Sequence, residues 1–347
     1  MILAVQKYSF INAKVRGMKS RLLDSSKYRQ LLETTQLDAF LKVLFETDYA
    51  PELSELDSKE PKITELTDAL DRSLLLTFSV ILKFFRAKDE NAIIHRLIAK
   101  IDVENIKIIL RGKKRGVSPP QISDSLSPIN GFTEINYDKL LDSRDVEHLV
   151  SLLGGTPYAK PLTNALPLFE NEGRTAILER VLDETYYNEL WSLLDNLSVT
   201  DKKIMEMYLG TFFDITNIMM ILRYRIFYEI ESDEVQKMVI PMRYMLNKTE
   251  VSMLCGATEE DFCELMEDTY YGRRVGDIKD ITDLEISLYR IMKATAVRLL
   301  SKGAPFHLGT IVGYLTLKEM EVTNLKSIAE GKRHFLPEEE ISENLIM

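Results

Sequence analysis

The sequence is poor in the residues that carry metal and redox chemistry. It has only 2 cysteines and 4 histidines in 347 residues. Cys255 and Cys263 are eight positions apart, a spacing that fits neither a zinc knuckle nor a CxxC redox pair. The histidines show no HExxH or other helical metal-ligand spacing. We therefore expect no disulfide framework and no metal site, and the scarcity of cysteine favours a reducing compartment.

Sequence motifs that bind nucleotides or activate nucleophiles are missing as well. The chain contains no GxxxxGK[ST] phosphate loop, no GxGxxG dinucleotide fingerprint and no GxSxG nucleophile elbow. These absences predict a protein without catalytic residues, cofactor or small-molecule substrate. The formal net charge of −10 also argues against nucleic acid as a partner, because phosphate binding requires a basic surface.

Turn-forming residues and long apolar runs are scarce too. The chain has 15 Gly and 11 Pro, while Leu, Ile, Lys, Glu and Met are abundant, which favours an all-α protein. The first residues carry no basic leader, so no signal peptide is expected. The longest uncharged apolar run near the C-terminus falls well short of the about 20 residues that span a bilayer. A chain that is soluble when isolated is therefore expected.

What the sequence does contain is an internal repeat. The segment from Tyr28 to Leu53 aligns without gaps on the segment from Tyr137 to Leu162. Eight residues of the first segment recur unchanged in the second: Tyr28, Leu31, Leu32, Leu44, Thr47, Tyr49, Ala50 and Leu53. A weaker third copy carries Leu254, Phe262, Thr269 and Tyr271 at the matching positions. A fixed period of this kind is typical of a chain built from related structural units.

A second marker recurs with a similar period. Asp102-Val-Glu-Asn105-Ile is followed by Ile109-Leu-Arg111, and Asp214-Ile-Thr-Asn217-Ile is followed by Ile221-Leu-Arg223. The third version is Glu321-Val-Thr-Asn324-Leu. Asparagine is an unfavourable residue inside a helix, so we interpret Asn105 and Asn217 as donors of interhelical hydrogen bonds that fix the register of the helical hairpins.

Together the two markers predict three pseudo-threefold-related helical subdomains. Each subdomain would consist of a short-helix cap and a long helical hairpin, and the three would form a funnel with a central cavity. The predicted boundaries are 1–122, 123–235 and 236–347, and the Pro- and Ser-rich stretch 116–128 is interpreted as the linker after the first copy. Long helices are predicted at 8–23, 69–86, 91–111, 175–196, 200–231, 283–302 and 308–331, with one or two short helices in 25–45 and short helices in 137–153 and 248–268.

Basic residues near the ends of the asparagine-containing helices are the candidate binding residues. The cluster from Arg111 to Arg115 has two interpretations of similar weight, a helix C-terminal cap and an electrostatic docking site for an acidic partner. If the copies surround an axis, the equivalent cations would form a basic ring, with Arg111, Arg223 and Lys332 as its repeated feature. The candidate partner-binding residues are Arg16, Lys19, Arg21, Arg111, Lys113, Lys114, Arg223, Arg225, Lys332 and Arg333.

The opening segment from Tyr8 to Leu23 resembles the N-terminal signature of the C subunits of the rotary V/A-type ATPases, whose eukaryotic counterparts are the d subunits. The stretch 105–111, its copies near 217 and 324, and the closing Glu330-Gly331-Lys332 also resemble that family. The likeness covers essentially the whole chain, and it depends on the order, length and period of the motifs rather than on any one of them.

This resemblance implies a non-catalytic central-stalk subunit on the cytoplasmic face of the membrane. Such a protein is a peripheral membrane protein that acts as a socket between the central-shaft subunits of the soluble ATPase head and the membrane proteolipid rotor ring. The membrane stator is a further candidate partner. The socket would couple ATP hydrolysis or synthesis to proton or other ion transport. Ion choice and the direction of ATP turnover lie outside this chain.

Two other classes of protein are compatible with parts of the sequence. A helical-repeat adaptor unrelated to rotary ATPases would show the same repeats and the same lack of chemistry, but only a rotor subunit requires co-purification with membranes. An enzyme with a metal-free acidic site would need convergent carboxylates of raised pKa in a closed pocket, and the sequence shows no such grouping.

Overall fold

A computed structural model describes residues 2–54, 56, 62–85, 87–129, 131–276, 278–301 and 306–347. These residues form helices joined by short connections, and no strand occurs among them, so the predicted all-α class is confirmed. Packing divides the chain into two compact units, one formed by Met1–Ala87 with Leu197–Met347 and the other by Lys88–Asn196.

The helices fall into three stretches of chain. The first stretch contains α1 (Ile2–Lys19), α2 (Ser25–Glu33), α3 (Leu37–Leu44), α4 (Ala50–Leu53) and α5 (Ile63–Phe84). The second contains α6 (Lys88–Arg115), α7 (Pro119–Ser123), α8 (Tyr137–Leu141), α9 (Val146–Leu152), α10 (Ala159–Glu172), α11 (Ala176–Ser192) and the 3-10 helix Leu193–Asn196.

The third stretch begins with a long helix that changes its winding. It contains α12 (Val199–Ile221), the π-helix Leu222–Phe227, α13 (Ser232–Met238), α14 (Lys248–Gly256), α15 (Glu259–Glu267), α16 (Gly272–Val275), α17 (Ile281–Ser301), α18 (Leu308–Arg333) and α19 (Glu338–Glu343). The predicted ends at 86 and 302 lie outside the described residues.

Local capping explains several of these starts. Asp24, Asn136 and Asp145 accept hydrogen bonds from the backbone N–H groups at the beginning of α2, α8 and α9, and Asn247 and Glu250 form a reciprocal capping box at α14. These side chains satisfy N–H groups that have no partner within the helix. The group of short helices that forms the cap of each copy therefore begins where a short polar side chain precedes an apolar run.

The predicted hairpin is found in the third copy, where α17 packs against α18, but the long helices also make a second set of contacts that crosses the predicted boundaries. Each long asparagine-containing helix (α6, α12 or α18, called an asparagine helix below) packs on the cap that follows it in the repeat order. Helix α6 contacts α9 and α11, α12 contacts α14 and α17, and α18 contacts α3 and α5. The third asparagine helix thus packs on the first cap, which joins the two ends of the chain.

We call each such group a module. Module 2 comprises α6–α11 and coincides with the compact unit Lys88–Asn196, and module 3 comprises α12–α17. Module 1 combines α18 and α19 with α2–α5, and one apolar core joins Phe40 and Leu44 to Leu325 and Ile328. The funnel, its central cavity and the boundaries 1–122, 123–235 and 236–347 remain predictions.

The stretch interpreted as a linker is an ordered part of module 2. Residues 116–127 leave the end of α6, form the short helix α7 and bury Ile122, which is only 3% exposed. The corresponding segments after α12 and α18 bury Val235 and Ile341 in the same way. We call the segments 116–127, 229–240 and 334–346 straps. The sequence prediction missed α7, α13 and α19, each of which is shorter than two helical turns.

Two glycines let straps approach their asparagine helices closely. A Cβ atom on Gly112 would lie 2.5 Å from Cδ1 of Ile122, and one on Gly331 would lie 2.6 Å from Cγ1 of Ile341. Such distances are shorter than carbon atoms tolerate, so a larger residue would push the strap away. Module 3 has Tyr224 at the matching position, which lies in the π-helix.

The apolar pattern of the first helix includes one residue that lies at the surface. Phe10 falls in the apolar pattern of the first helix together with Ile11, Val15 and Met18, yet its side chain is 62% exposed, whereas these three neighbours are buried. Its ring instead contacts the partly exposed Phe84 of α5, with 5.7 Å between the ring centroids. The helical pattern therefore predicts which face of α1 is buried, but it also assigns the exposed Phe10 to that face.

Candidate interaction site

The repeated asparagines make the same pair of hydrogen bonds in all three modules. Oδ1 of Asn105 accepts from the N–H of Ser127 at 2.9 Å, and its Nδ2 donates to the carbonyl of the same residue at 2.9 Å. Asn217 forms this pair with Ile240 at 2.7 and 3.2 Å, and Asn324 forms it with Ile346 at 2.9 and 3.1 Å.

Each asparagine side chain thus forms hydrogen bonds with both the N–H and the carbonyl of one strap residue, in place of a neighbouring backbone segment. The predicted interhelical hydrogen bond is wrong: each asparagine bonds to a strap residue outside any helix, and so fixes the strap rather than a facing helix. Asn105 and Asn324 reach 22 residues along the chain, whereas Asn217 reaches 23. The π-helix Leu222–Phe227 absorbs the extra residue, because a π-turn holds one residue more than an α-turn.

A buried acid three residues before each asparagine holds a cap tyrosine. The hydroxyl of Tyr271 donates to Asp214 at 2.8 Å, and that of Tyr49 donates to Glu321 at 2.8 Å. Asp102 accepts from Tyr137, which begins the cap of module 2. Burial raises the pKa of Asp102 and of Asp214, while their hydrogen bonds act in the opposite direction. These contacts attach each cap to its asparagine helix.

The cation eight residues after each asparagine is also used internally. Lys113 donates to the carbonyls of Leu141 and Ser143, and Lys332, which is only 5% exposed, donates to the carbonyl of Leu32. Leu32 and Leu141 are equivalent positions of the two caps, so the contact itself is repeated. In module 3 the corresponding Arg225 donates to the carbonyl of Ile230 at 3.3 Å.

Positions counted from the three asparagines also change which residues belong to the suggested basic ring. Arg111 and Arg223 each lie six residues after their asparagine, and the residue at that position in the third copy is Glu330. Lys332 corresponds instead to Lys113 and Arg225. Arg111 pairs with Glu179 at 2.9 Å within module 2, and its side chain is 39% exposed. The repeated cations are therefore Lys113, Arg225 and Lys332, all of which hold backbone carbonyls.

The remaining candidate cations lie at the surface. Arg16 and Lys19 are exposed near the end of α1, and Arg21 forms an exposed pair with Asp48 at 3.1 Å. Lys114 is exposed at the end of α6, where its ammonium lies 5.4 Å from the ring centroid of Phe169. Arg223 is exposed, and Arg333 is exposed beside Glu330 at 3.5 Å. These six side chains are accessible to a partner.

The described residues show no arrangement of ligands for a metal ion. No group of three or more His, Cys, Asp or Glu side chains in the described ranges is placed to bind one. Cys255 is buried and Cys263 is partly buried, and both are free thiols. Across the part of the chain that the structure describes, no helix is apolar over a stretch long enough to cross a bilayer.

A polar pocket of module 1 lies beside α18 and the end of α1. It has a volume of about 140 Å³, and its lining includes Arg21, Glu52, Tyr314 and Lys318. The ammonium of Lys318 pairs with Glu321 at 3.1 Å and lies 3.8 Å from the ring centroid of Tyr49. Burial lowers the pKa of Lys318, although Glu321 opposes this effect. The pocket therefore borders the acid–tyrosine contact that attaches the first cap.

Comparison with known proteins agrees with this architecture. The family model described as ATP synthase (C/AC39) subunit matches residues 11–344. The C subunit of the A-type ATP synthase of Methanocaldococcus jannaschii is 28% identical over 359 residues, which cover 100% of this chain and 88% of the relative.

Two further relatives have the same name. The A-type ATP synthase C subunit of Archaeoglobus fulgidus is 29% identical, with 98% of this chain and 96% of the relative covered. That of Methanosphaera stadtmanae is 30% identical, with 98% of this chain and 88% of the relative covered. Because the match spans nearly every module described above, the chain belongs to the ATP synthase (C/AC39) subunit family.

Proposed function

We propose that this protein is a non-catalytic central-stalk subunit of a rotary V/A-type ATPase or ATP synthase. It acts as a socket that joins the central shaft of the soluble head to the membrane proteolipid ring, and so couples ATP turnover to ion transport. The match of the family model over residues 11–344 carries this proposal. The named relatives from three archaea support it, since each is called the C subunit of an A-type ATP synthase.

The internal polar contacts suit a part that transmits torque. Asp214, Asn217 and Arg225 all bond to groups of their own module, and the same pattern recurs around Asn105 and Asn324. Such bonds fix each cap and strap against one long helix, and satisfied polar networks make a structure rigid. A rigid socket transmits rotation with little loss to bending.

The direct test of the proposed function is a coupling assay with and without this protein. ATP synthase lacking the chain is expected to retain ATP hydrolysis in its soluble head but to lose ATP-driven ion transport into vesicles. Addition of the purified chain should restore transport. Vesicles that transport ions equally well without the chain would refute the socket proposal, and absence of the chain from purified complexes would favour the unrelated adaptor.

The exposed cations provide the test of docking. We expect the combined change Arg16→Glu, Lys19→Glu, Lys114→Glu and Arg223→Glu to weaken binding to the depleted complex about tenfold or more at low salt. Opposite charges across an interface accelerate association, and salt screens this effect. Binding would be measured by co-sedimentation with the vesicles at low and high ionic strength.

A single-site control for this change is Lys248→Glu, at another exposed cation, which begins α14. It should leave binding unchanged at both salt concentrations. Binding of the fourfold variant equal to that of the wild type would remove these cations from the interface. All four positions are exposed, so the variant is expected to fold normally.

A further inference from the structure

The asparagine helices end in the same backbone turn, but with different residues at its left-handed position. In module 2 this position is Gly116, with a φ of 68°, and the next N–H, of Val117, donates back to the carbonyl of Gly112 at 3.0 Å. In module 1 the N–H of Leu336 donates to the carbonyl of Gly331 at 2.9 Å, and the left-handed residue is Phe335, with a φ of 55°.

Module 3 confirms that the position is equivalent. Its left-handed residue is Glu229, with a φ of 51°, and the N–H of Ile230 donates to the carbonyl of Tyr224 at 2.9 Å. Glycine adopts this conformation freely, whereas a bulky aromatic residue does so only at a cost in free energy. Phe335 is therefore a poor choice for the turn itself.

Packing does not compensate for this cost. The side chain of Phe335 is 80% exposed, and that of the adjacent Leu336 is 38% exposed. A residue that strains the backbone and leaves most of its apolar side chain in water contributes little to the stability of this chain. Strained backbone positions are found preferentially at functional sites, and exposed apolar anchors are found at protein interfaces.

The charges next to Phe335 and Leu336 indicate the kind of surface that would receive them. Glu338, Glu339 and Glu340 follow after Pro337 and are all exposed, whereas Arg333 and His334 lie close to Glu330, at 3.5 and 3.7 Å. Carboxylates thus outnumber cations at this end of α18. An anionic lipid surface would repel this end of the molecule, and so would a second copy of a chain with a net charge of −10.

We propose that Phe335 and Leu336 form an anchor that inserts into an apolar pocket, edged by lysine or arginine, on another protein of the complex. The anchor rests on the proposed function for the identity of the complex, and it is a separate feature from the exposed cations at the ends of α1, α6 and α12, although Arg333 lies two residues before it. It adds an apolar contact with an acidic border to the exposed cations as a candidate contact with a partner.

The test compares variants by their thermal stability and by their binding to the complex, two properties that should change independently. Phe335→Gly removes the aromatic ring and relieves the left-handed position, so its melting temperature should equal or exceed that of the wild type. Its binding to ATP synthase complexes depleted of this protein should nevertheless be weakened about tenfold or more. Glu229→Gly relieves the equivalent position in module 3 and should leave binding unchanged.

Crosslinking identifies the surface that receives the anchor. The intact complex would be assembled with the photoreactive analogue p-benzoylphenylalanine at position 335, and illumination should crosslink it to another protein of the complex. Crosslinking to lipid alone, or wild-type binding by Phe335→Gly, would overturn the anchor and leave the proposed function intact. Failure of the wild-type chain itself to bind the depleted complex would instead refute the proposed function.

Discussion

Replacement of Asp214 by alanine is expected to destabilise the protein by about 3–5 kcal/mol, because it leaves buried donors without an acceptor. Its carboxylate is completely buried and accepts from the N–H groups of Tyr244, Met245 and Leu246 at 3.0, 2.6 and 3.0 Å. It also accepts from the hydroxyl of Tyr271 at 2.8 Å. One side chain thus holds the segment before α14 and the third cap.

Urea unfolding followed by circular dichroism would measure this loss. Asp268→Ala is the matched control, since Asp268 is an exposed aspartate in the same cap, and its removal should change stability by no more than about 0.5 kcal/mol. Asp214→Asn keeps the shape but turns an amide toward N–H donors, so it should lie between the two. Equal stability of Asp214→Ala and the wild type would show that water replaces the carboxylate.

Charge reversal at Lys332 is the second large effect, and it should act on folding rather than on docking. The ammonium of Lys332 is buried and donates to the carbonyl of Leu32 in the first cap. A glutamate there would place a carboxylate against that carbonyl, with a loss of about 3–5 kcal/mol. Lys332→Met, which keeps the apolar stem but no donor, should cost about 1–3 kcal/mol.

Arg333→Glu provides the comparison one residue further on. The side chain of Arg333 is 53% exposed and lies 3.5 Å from Glu330, so its reversal should cost at most about 1 kcal/mol. Thermal melting of both variants, measured before any binding assay, checks the assignment. A stable Lys332→Glu that fails only in binding to the complex would contradict the buried role and restore Lys332 to the docking surface.

Lys332 and Arg333 show which features of the candidate site can be predicted from the sequence and which cannot. Basic residues at helix ends are found in the sequence by inspection, and both Lys332 and Arg333 are candidates on that ground. A lysine that holds a cap carbonyl and an arginine that faces solvent have the same charge and nearly the same position in the chain. Only the packing of α18 against the first cap separates them, since the carbonyl that Lys332 holds is 300 residues away in sequence.

The sequence shows the repeat, but it does not show which helices of the repeat pack together. Tyr49, Tyr158 and Tyr271 align in the sequence, and Asn105, Asn217 and Asn324 do so independently. Nothing in a linear pattern shows whether an asparagine helix belongs to the cap before it or to the cap after it. The structure assigns each helix to the following cap through an acid–tyrosine contact and a strap, and this assignment joins α18 to the first cap.

Sequence alone determined the helical class, the repeated motifs and the lack of metal and cofactor motifs, because these follow from composition, period and local spacing. Tertiary structure decided which polar residues face inward. Asp214, Asn324 and Lys332 are buried because backbone groups of a distant cap or strap need hydrogen-bond partners there, and no local pattern specifies that need. It also decided that Phe335 has a left-handed backbone and an exposed ring, since the turn that imposes this conformation is set by the strap.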